Sequence, residues 1–296
     1  MSIPYLGEIF SFSCAIFWAA AIIFFRKSGE FTSPFSLNFF KNVLALILFL
    51  LTSLFFHKTL LVKVPFQEYI LLIISGIIGI AIADTLFFRC LNLLGAGLTA
   101  LINCLYTPIM ISLSVIFLKE KLSIIQILGA LLIISAILVA SLQLTHNSFP
   151  RKKIFLGIML GFISVLSMAV SIIMIKPLLN RSSILWVTEI RLIAGTIIMG
   201  IIVAFHPNKK EILHPFRFSK NLKFQLPGVI LGAYLAMIIW IAGMKYTYVS
   251  IATAISQTSV IFVLIFAAIF LKERFTLRRF IGMVMAFSGV LMVTVG

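Results

Sequence analysis

The sequence has few charged residues. Only 11% of its 296 residues are charged, against about 25% in an average soluble domain, while 62% are hydrophobic and the mean hydropathy is +1.20. No polar stretch is long enough to form a separate soluble domain. The composition excludes a soluble globular protein and predicts an all-α integral membrane protein.

Cysteine, histidine and acidic residues are also scarce. The three cysteines lie in apolar runs without a ligand pattern, so we expect neither a disulfide nor a metal site. The four histidines lie in predicted loops and the eight acids do not cluster, so no general acid–base pair is visible. No Walker sequence supports ATP-driven pumping. We therefore expect neither an enzyme nor a bound cofactor.

Ten apolar runs have the length of a membrane-crossing helix, about 20 residues. The loops between them are short, and all prolines except Pro108 fall at or beside the ends of the runs, as expected of a residue that cannot donate to a helix ladder. The predicted spans, numbered 1 to 10, cover residues 5–26, 34–56, 67–88, 96–118, 123–142, 154–176, 183–205, 225–245, 249–271 and 277–295.

The basic residues that give the net charge of +16 are scattered over loops at the membrane edges. Because they are not gathered on one face, we expect contact with anionic lipid headgroups and not with nucleic acid. The loops on one side carry roughly twice as many of them as the loops on the other side, which favours both termini outside the cytoplasm.

A short charged segment occurs twice, as Phe-Leu-Lys-Glu-Lys-Leu-Ser at 117–123 and as Phe-Leu-Lys-Glu-Arg-Phe-Thr at 270–276. Each copy separates two apolar runs, as a tight turn at the membrane surface does. Each copy also ends in a hydroxyl residue, Ser123 or Thr276, that we expect to cap the following helix. The chain therefore contains an internal repeat.

Other matches at nearly the same spacing pair Phe87 with Trp240 and Lys41 with Arg191. Each copy holds five spans, which is an odd number, so the second copy enters the membrane from the opposite side. The sequence predicts ten transmembrane helices in two inverted five-helix repeats, residues 1–148 and 149–296. Inverted halves can open a central site to each side in turn, as in secondary transporters.

The ten spans, the duplication and the repeated Leu-Lys-Glu segments resemble the EamA-type branch of the drug/metabolite transporter superfamily over residues 3–295. The resemblance implies a carrier of small organic solutes, often an exporter of amino acids or related metabolites. It implies a cavity formed mainly by spans 1, 3, 4, 6, 8 and 9, with spans 5 and 10 at the periphery. It also implies that both termini are cytoplasmic, whereas the count of basic residues in the loops favours termini outside the cytoplasm. One fold hosts many functions, so the substrate is not named.

Asp84 is the only acid in the middle of a predicted span. A carboxylate in hydrocarbon is costly unless it faces a partner or water. Asp84 could bind a coupling proton, bind a substrate amine, or make a structural hydrogen bond. Its counterpart in the second repeat is Met237, and this break in symmetry favours a role in substrate or ion handling.

Polar side chains follow one face of span 4 and of span 9. They are Thr99, Asn103 and Tyr106 in span 4, and Thr253, Ser256 and Gln257 in span 9. Pro108 predicts a kink in span 4 that frees backbone carbonyls beside this face. The two faces could form the walls of one cavity, or only make hydrogen bonds between helices.

Trp18, Tyr234 and Trp240 lie inside spans, away from the interfaces where such rings usually collect. They could stack on a planar part of a substrate or serve as apolar packing. Lys41, Glu189 and Arg191 lie in the first third of spans 2 and 7, and for these we expect headgroup contact or an intramembrane ion pair.

The leading interpretation is a monomeric, multi-pass carrier in the plasma membrane, the inner membrane of a bacterium. It exports or exchanges a small amphipathic metabolite, with the lipid bilayer and a coupling proton as its other partners. A flippase for lipids or lipid-linked sugars is the alternative. It predicts a lateral opening lined by cations, whereas the basic residues lie at membrane edges. A membrane-embedded enzyme is the weakest alternative.

Overall fold

The computed structural model describes residues 5–56, 62, 64–118, 123–146, 150–179, 182–216, 221–246, 255–273 and 276–295. These residues form helices and no β-strand. Six helical stretches are long and apolar enough to cross a membrane, and shorter apolar helices add to them. The predicted all-α membrane fold is confirmed.

The helices are Leu6–Ser28, Pro34–Phe55, Phe66–Gly76, Asp84–Asn103, Tyr106–Leu118, Ile124–His146, Arg151–Leu179, Ile184–Phe205, Lys209–Ile212, Leu222–Gly228, Met237–Tyr246, Ser259–Phe270 and Leu277–Val295. Spans 1, 2, 5, 6, 7 and 10 are single helices. Spans 3, 4, 8 and 9 are each interrupted.

Spans 3 and 8 each contain a π-helical segment, Ile77–Ala83 and Val229–Ala236, at equivalent places in the two repeats. Each segment ends at a carbonyl that accepts a bond from the other repeat. Ser164 Oγ of span 6 donates to the carbonyl of Ala83 at 2.7 Å, and Cys14 Sγ of span 1 donates to the carbonyl of Ala236 at 3.3 Å. The wide turns, a common feature of functional sites, are therefore held between the repeats.

Spans 4 and 9 are each interrupted by one tight turn, again at equivalent positions. The amide of Leu105 donates to the carbonyl of Ile102, and the amide of Thr258 to the carbonyl of Ile255, both at 3.0 Å. Pro108 predicted the kink in span 4, because proline cannot donate to the carbonyl four residues earlier. Span 9 has isoleucine at the position equivalent to Pro108 and is interrupted too, so the proline is not the sole cause.

The boundary between spans 3 and 4 lies at Gly95, whose φ of 82° is in the left-handed region that favours glycine. Beyond it, the amides of Ala96 and Gly97 donate to the carboxylate of Glu273, at 2.8 and 3.4 Å. Arg279 donates to the same carboxylate at 2.8 Å. The glutamate of the second charged segment thus caps a helix of the first repeat. The equivalent glutamate, Glu120, lies outside the described residues.

The two repeats pack against each other through equivalent helices. Span 6 packs against spans 3 and 4, span 1 packs against spans 8 and 9, and spans 5 and 10 pair with each other. A Cβ added at Gly79 of span 3 would overlap Ser171 of span 6, and one added at Gly232 of span 8 would lie 2.6 Å from Cβ of Ala21 of span 1. These two glycines allow the close helix approach at each contact.

Replacing Gly232 with alanine should destabilise the protein, because the added methyl group has no room against Ala21. We expect Gly232→Ala to cost about 1–3 kcal/mol, as overpacking does, and to lower the midpoint of thermal unfolding in detergent. Gly200→Ala is the matched control, since the nearest atom to its added Cβ is 3.9 Å away. Equal midpoints for the two variants would contradict the close packing of spans 1 and 8.

Candidate functional site

Lys41 and Asp84 form an ion pair inside the helix bundle. The ammonium of Lys41 on span 2 donates to Oδ2 of Asp84 on span 3, and the two side chains are 11% and 20% exposed. Lys41 also lies 5.7 Å from the centre of the Phe88 ring, a cation–π contact. Of the two roles expected for Lys41, the structure has the intramembrane ion pair. Asp84 is therefore paired with a cation of the protein itself.

Asp84 follows directly after the π-helical segment Ile77–Ala83, and span 2 holds that segment in place. Asn38 Nδ2 donates to the carbonyl of Ile80 at 2.9 Å, to the carbonyl of Ala81 at 3.3 Å and to Thr85 Oγ1 at 2.9 Å. The freed backbone groups are thus satisfied by a side chain, as burial away from water requires. Asn38 lies three residues before Lys41, on the same helical face.

Arg191 is a second buried cation. It is 8% exposed, and its Nη2 donates to Ser171 Oγ of span 6 at 3.2 Å. It is close enough to Tyr106 and Asp84 to interact with both electrostatically. A Cβ at Gly79 would lie 2.9 Å from the guanidinium, so the glycine leaves room for it. Spans 3, 6 and 7 therefore meet around this side chain.

Asn103 and Tyr106 flank the tight turn of span 4. Both are half-buried, and Tyr106 is the residue near Arg191. Within the described part of the chain, neither the Asn103 amide nor the Tyr106 hydroxyl makes a hydrogen bond. Two polar groups at this turn thus make no hydrogen bond to the described residues, and one of them, Tyr106, interacts electrostatically with the cation.

Gln257 links the interruption of span 9 to that of span 4. Its Nε2 donates to Thr107 Oγ1 at 3.1 Å, so the two interrupted helices meet where their backbones leave the regular ladder. Ser256, half-buried, precedes it, and Thr253 lies outside the described residues. Thr99 has a different environment: it is 2% exposed, and its hydroxyl donates to the carbonyl of Gly95 in its own helix at 2.6 Å.

The aromatic residues predicted for the site lie in separate places. The ring of Trp18 is 6.2 Å from that of Phe87, which is 5.7 Å from that of Phe88, so a row of rings leads to Lys41. Trp240 is half-buried and, among the described residues, has no ring contact or hydrogen bond.

Tyr234 is bonded through its hydroxyl to that of Thr52 on span 2. Thr52 lies three turns beyond Lys41, about 16 Å along the helix axis. Asp84 and Tyr106 are thus within electrostatic range of Arg191, whereas Tyr234 contacts the far end of span 2.

Glu189 on span 7 is a more deeply buried acid than Asp84. It is 1% exposed, and it accepts a hydrogen bond from the hydroxyl of Ser53 on span 2. No described lysine or arginine lies within 4 Å of it. This contact holds the start of span 7 against the end of span 2.

Sequence reasoning left Lys41, Arg191, Ser171 and Asn38 out of the candidate site. The signal for the first two was present, because they occupy equivalent positions in the two repeats. Asn38 and Lys41 also form a polar stripe on span 2. Ser171 has no comparable signal, because small residues on a transmembrane helix usually serve close packing.

Each half of the chain matches the EamA-like transporter family, over residues 5–142 and 155–295. The chain belongs to this family. The predicted resemblance is confirmed, and the protein is a multi-pass membrane transporter of the EamA type. The division at residues 148 and 149 stays a prediction.

One relative of this EamA-type transporter is a protein of Archaeoglobus fulgidus described as an uncharacterized transporter. It is 25% identical over 287 residues, which cover 97% of each chain. A solved crystal structure matches with a TM-score of 0.68 and 17% identity, covering 98% of this chain and 96% of the other. At that identity the likeness concerns the fold alone.

Removing one partner of the Lys41–Asp84 pair should destabilise this transporter more than removing both. Lys41→Met leaves a buried carboxylate without a cation, which we expect to cost about 3 kcal/mol. Adding Asp84→Leu should restore part of that loss, because no charge is then left unpaired. The measurement is the unfolding midpoint of both single variants and the double variant. If the losses of the two single variants simply add, the ion pair does not couple the two residues.

Proposed function

We propose that the protein is a secondary carrier that exports or exchanges a small organic metabolite by alternating access, in the plasma membrane. The observation that carries the proposal is the Lys41–Asp84 ion pair inside the helix bundle, with Arg191 near enough to Asp84 and to Tyr106 to interact with both electrostatically. Charged groups inside a membrane are costly, and they typically mark substrate and ion pathways.

The arrangement of interrupted helices supports a central site. Interruptions occur at equivalent positions in spans 3 and 8 and in spans 4 and 9. Irregular backbone at membrane depth is tolerated where it is buried in protein or lines a water-filled cavity. Discontinuous helices at the interface of inverted repeats are a common construction of transporter binding sites. One chain supplies both halves, so we expect a monomer to suffice.

The side chains around the ion pair suit an amphipathic solute. Asp84, Lys41 and Arg191 supply charge, while Phe87, Phe88 and Trp18 supply rings on one side. We expect an amino acid or a related metabolite. Asp84 is the proposed proton-coupling group, because a proton on its carboxylate would end the attraction to Lys41 and free the ammonium to move.

The test is uptake of labelled amino acids and nucleosides into proteoliposomes, with and without an imposed pH gradient. We expect the gradient to change the flux of at least one solute in the wild type. Asp84→Asn should abolish the response to the gradient, because the amide cannot exchange a proton. Glu211→Gln is the matched control, since Glu211 is an exposed acid of the loop after span 7.

An unchanged gradient response in Asp84→Asn would make the ion pair structural. A lipid flippase is the second candidate, because Lys41 and Arg191 are buried cations that could bind a lipid phosphate. Its sign would be movement of a labelled phospholipid between leaflets of the same proteoliposomes, in the absence of flux of any soluble solute.

A further inference from the structure

Arg191 differs from its repeat counterpart Lys41 in having no carboxylate partner. Lys41 is paired with Asp84, but the residue equivalent to Asp84 in the second repeat is Met237. Among the described residues, the side-chain ion pairs are Lys41–Asp84 and Glu273–Arg279, and neither includes Arg191. The second repeat thus keeps the cation and replaces its anion with a thioether.

A buried guanidinium needs an anion more than most groups. It cannot lose its proton in a protein, and it carries five N–H donors in a fixed fork. Arg191 uses one nitrogen, Nη2, on the neutral hydroxyl of Ser171, and its Nε has no hydrogen-bond partner among the described residues. Asp84 lies farther away and is already paired with Lys41. The positive charge of Arg191 is therefore not matched by a carboxylate in contact with it.

The side chains around Arg191 supply hydrogen-bond donors for a small anion. Gly79 lets the guanidinium lie close against span 3, and Tyr106, whose hydroxyl donates to no described group, is near enough to Arg191 to interact with it electrostatically. A guanidinium fork binds a planar carboxylate through two parallel hydrogen bonds, and a tyrosine hydroxyl is a third donor. Span 7 and span 4 thus each carry a side chain with donors that suit a carboxylate.

We propose that Arg191 binds the carboxylate of the transported solute, with Tyr106 as a second donor. The proposal rests on the proposed function as a carrier and names its substrate class, small organic acids including amino acids. Charge balance favours a carboxylate over a phosphate monoester. With Lys41 neutralised by Asp84, Arg191 offers one positive charge, which one carboxylate matches and a dianion exceeds.

The test is ligand binding by the purified full-length protein, measured as the shift of its thermal unfolding midpoint. The probes are L-leucine, L-phenylalanine and benzoate, each compared with its amide, which differs only in lacking the carboxylate. We expect at least one acid to bind the wild type on the order of tenfold or more tightly than its amide, since a charge-assisted hydrogen bond is lost in the amide. Phenyl phosphate is included as the dianionic probe.

Arg191→Gln should remove the preference for the acid over its amide, and Arg191→Lys should keep only part of it, because lysine is charged but lacks the fork. Arg151→Gln is the matched control, since Arg151 is exposed at the start of span 6. Size-exclusion chromatography shows whether each variant is folded, and Arg191→Lys serves if Arg191→Gln is not.

Equal binding of acid and amide, unchanged preference in Arg191→Lys and Arg191→Gln, or no binding of any acid would each overturn the proposal. Tighter binding of phenyl phosphate than of every acid would also overturn it. The binding test does not depend on transport. Acid-selective binding without flux would leave the Arg191 site standing while the carrier proposal fails. Flux that is unchanged in the Arg191 variants would leave the carrier proposal standing while the Arg191 site fails.

Discussion

The structure depends on one constraint: in lipid, every backbone N–H and C=O must find a partner within the protein. A regular helix meets this requirement by itself, but a π-helical turn or a tight turn does not. The carbonyls near the turn of span 3 are therefore bonded by Asn38 of span 2 and Ser164 of span 6. The interruptions can exist only where other helices surround them, and this confines them to the contact between the two repeats.

The charged side chains occupy the same region for a related reason. Asp84 directly follows the π-helical segment, so the helix that carries it is fixed by the bonds that satisfy the turn. Lys41 lies on the face of span 2 that also carries Asn38, and one helix thus supplies both the backbone partner and the counter-ion. The cap by Glu273 on Ala96 applies the same rule at a helix end, since free amides there would otherwise lack acceptors.

Much of the fold follows from the sequence because its causes are repeated or periodic. The apolar runs give the spans, and the two Leu-Lys-Glu segments reveal the inverted repeat. The candidate site is harder to predict from the sequence. Asp84 is conspicuous as a carboxylate in an apolar run, but its pairing with Lys41 depends on the rotation of two helices. Span 9 is interrupted without a proline at the position equivalent to Pro108, so its sequence does not predict the interruption. Tyr234, predicted for the site, contacts Thr52 instead of Asp84.

The replacement of Asp84 by Met237 in the second repeat has an energetic consequence for a carrier of this design. If the two inverted halves were identical, the inward-open and outward-open forms would be related by rotation and would have equal free energies. An ion pair in only one half removes that degeneracy. In the proposed alternating-access carrier, the empty protein would then rest preferentially open toward one compartment, and Asp84, an acid that the two halves do not share, would contribute to the choice of side.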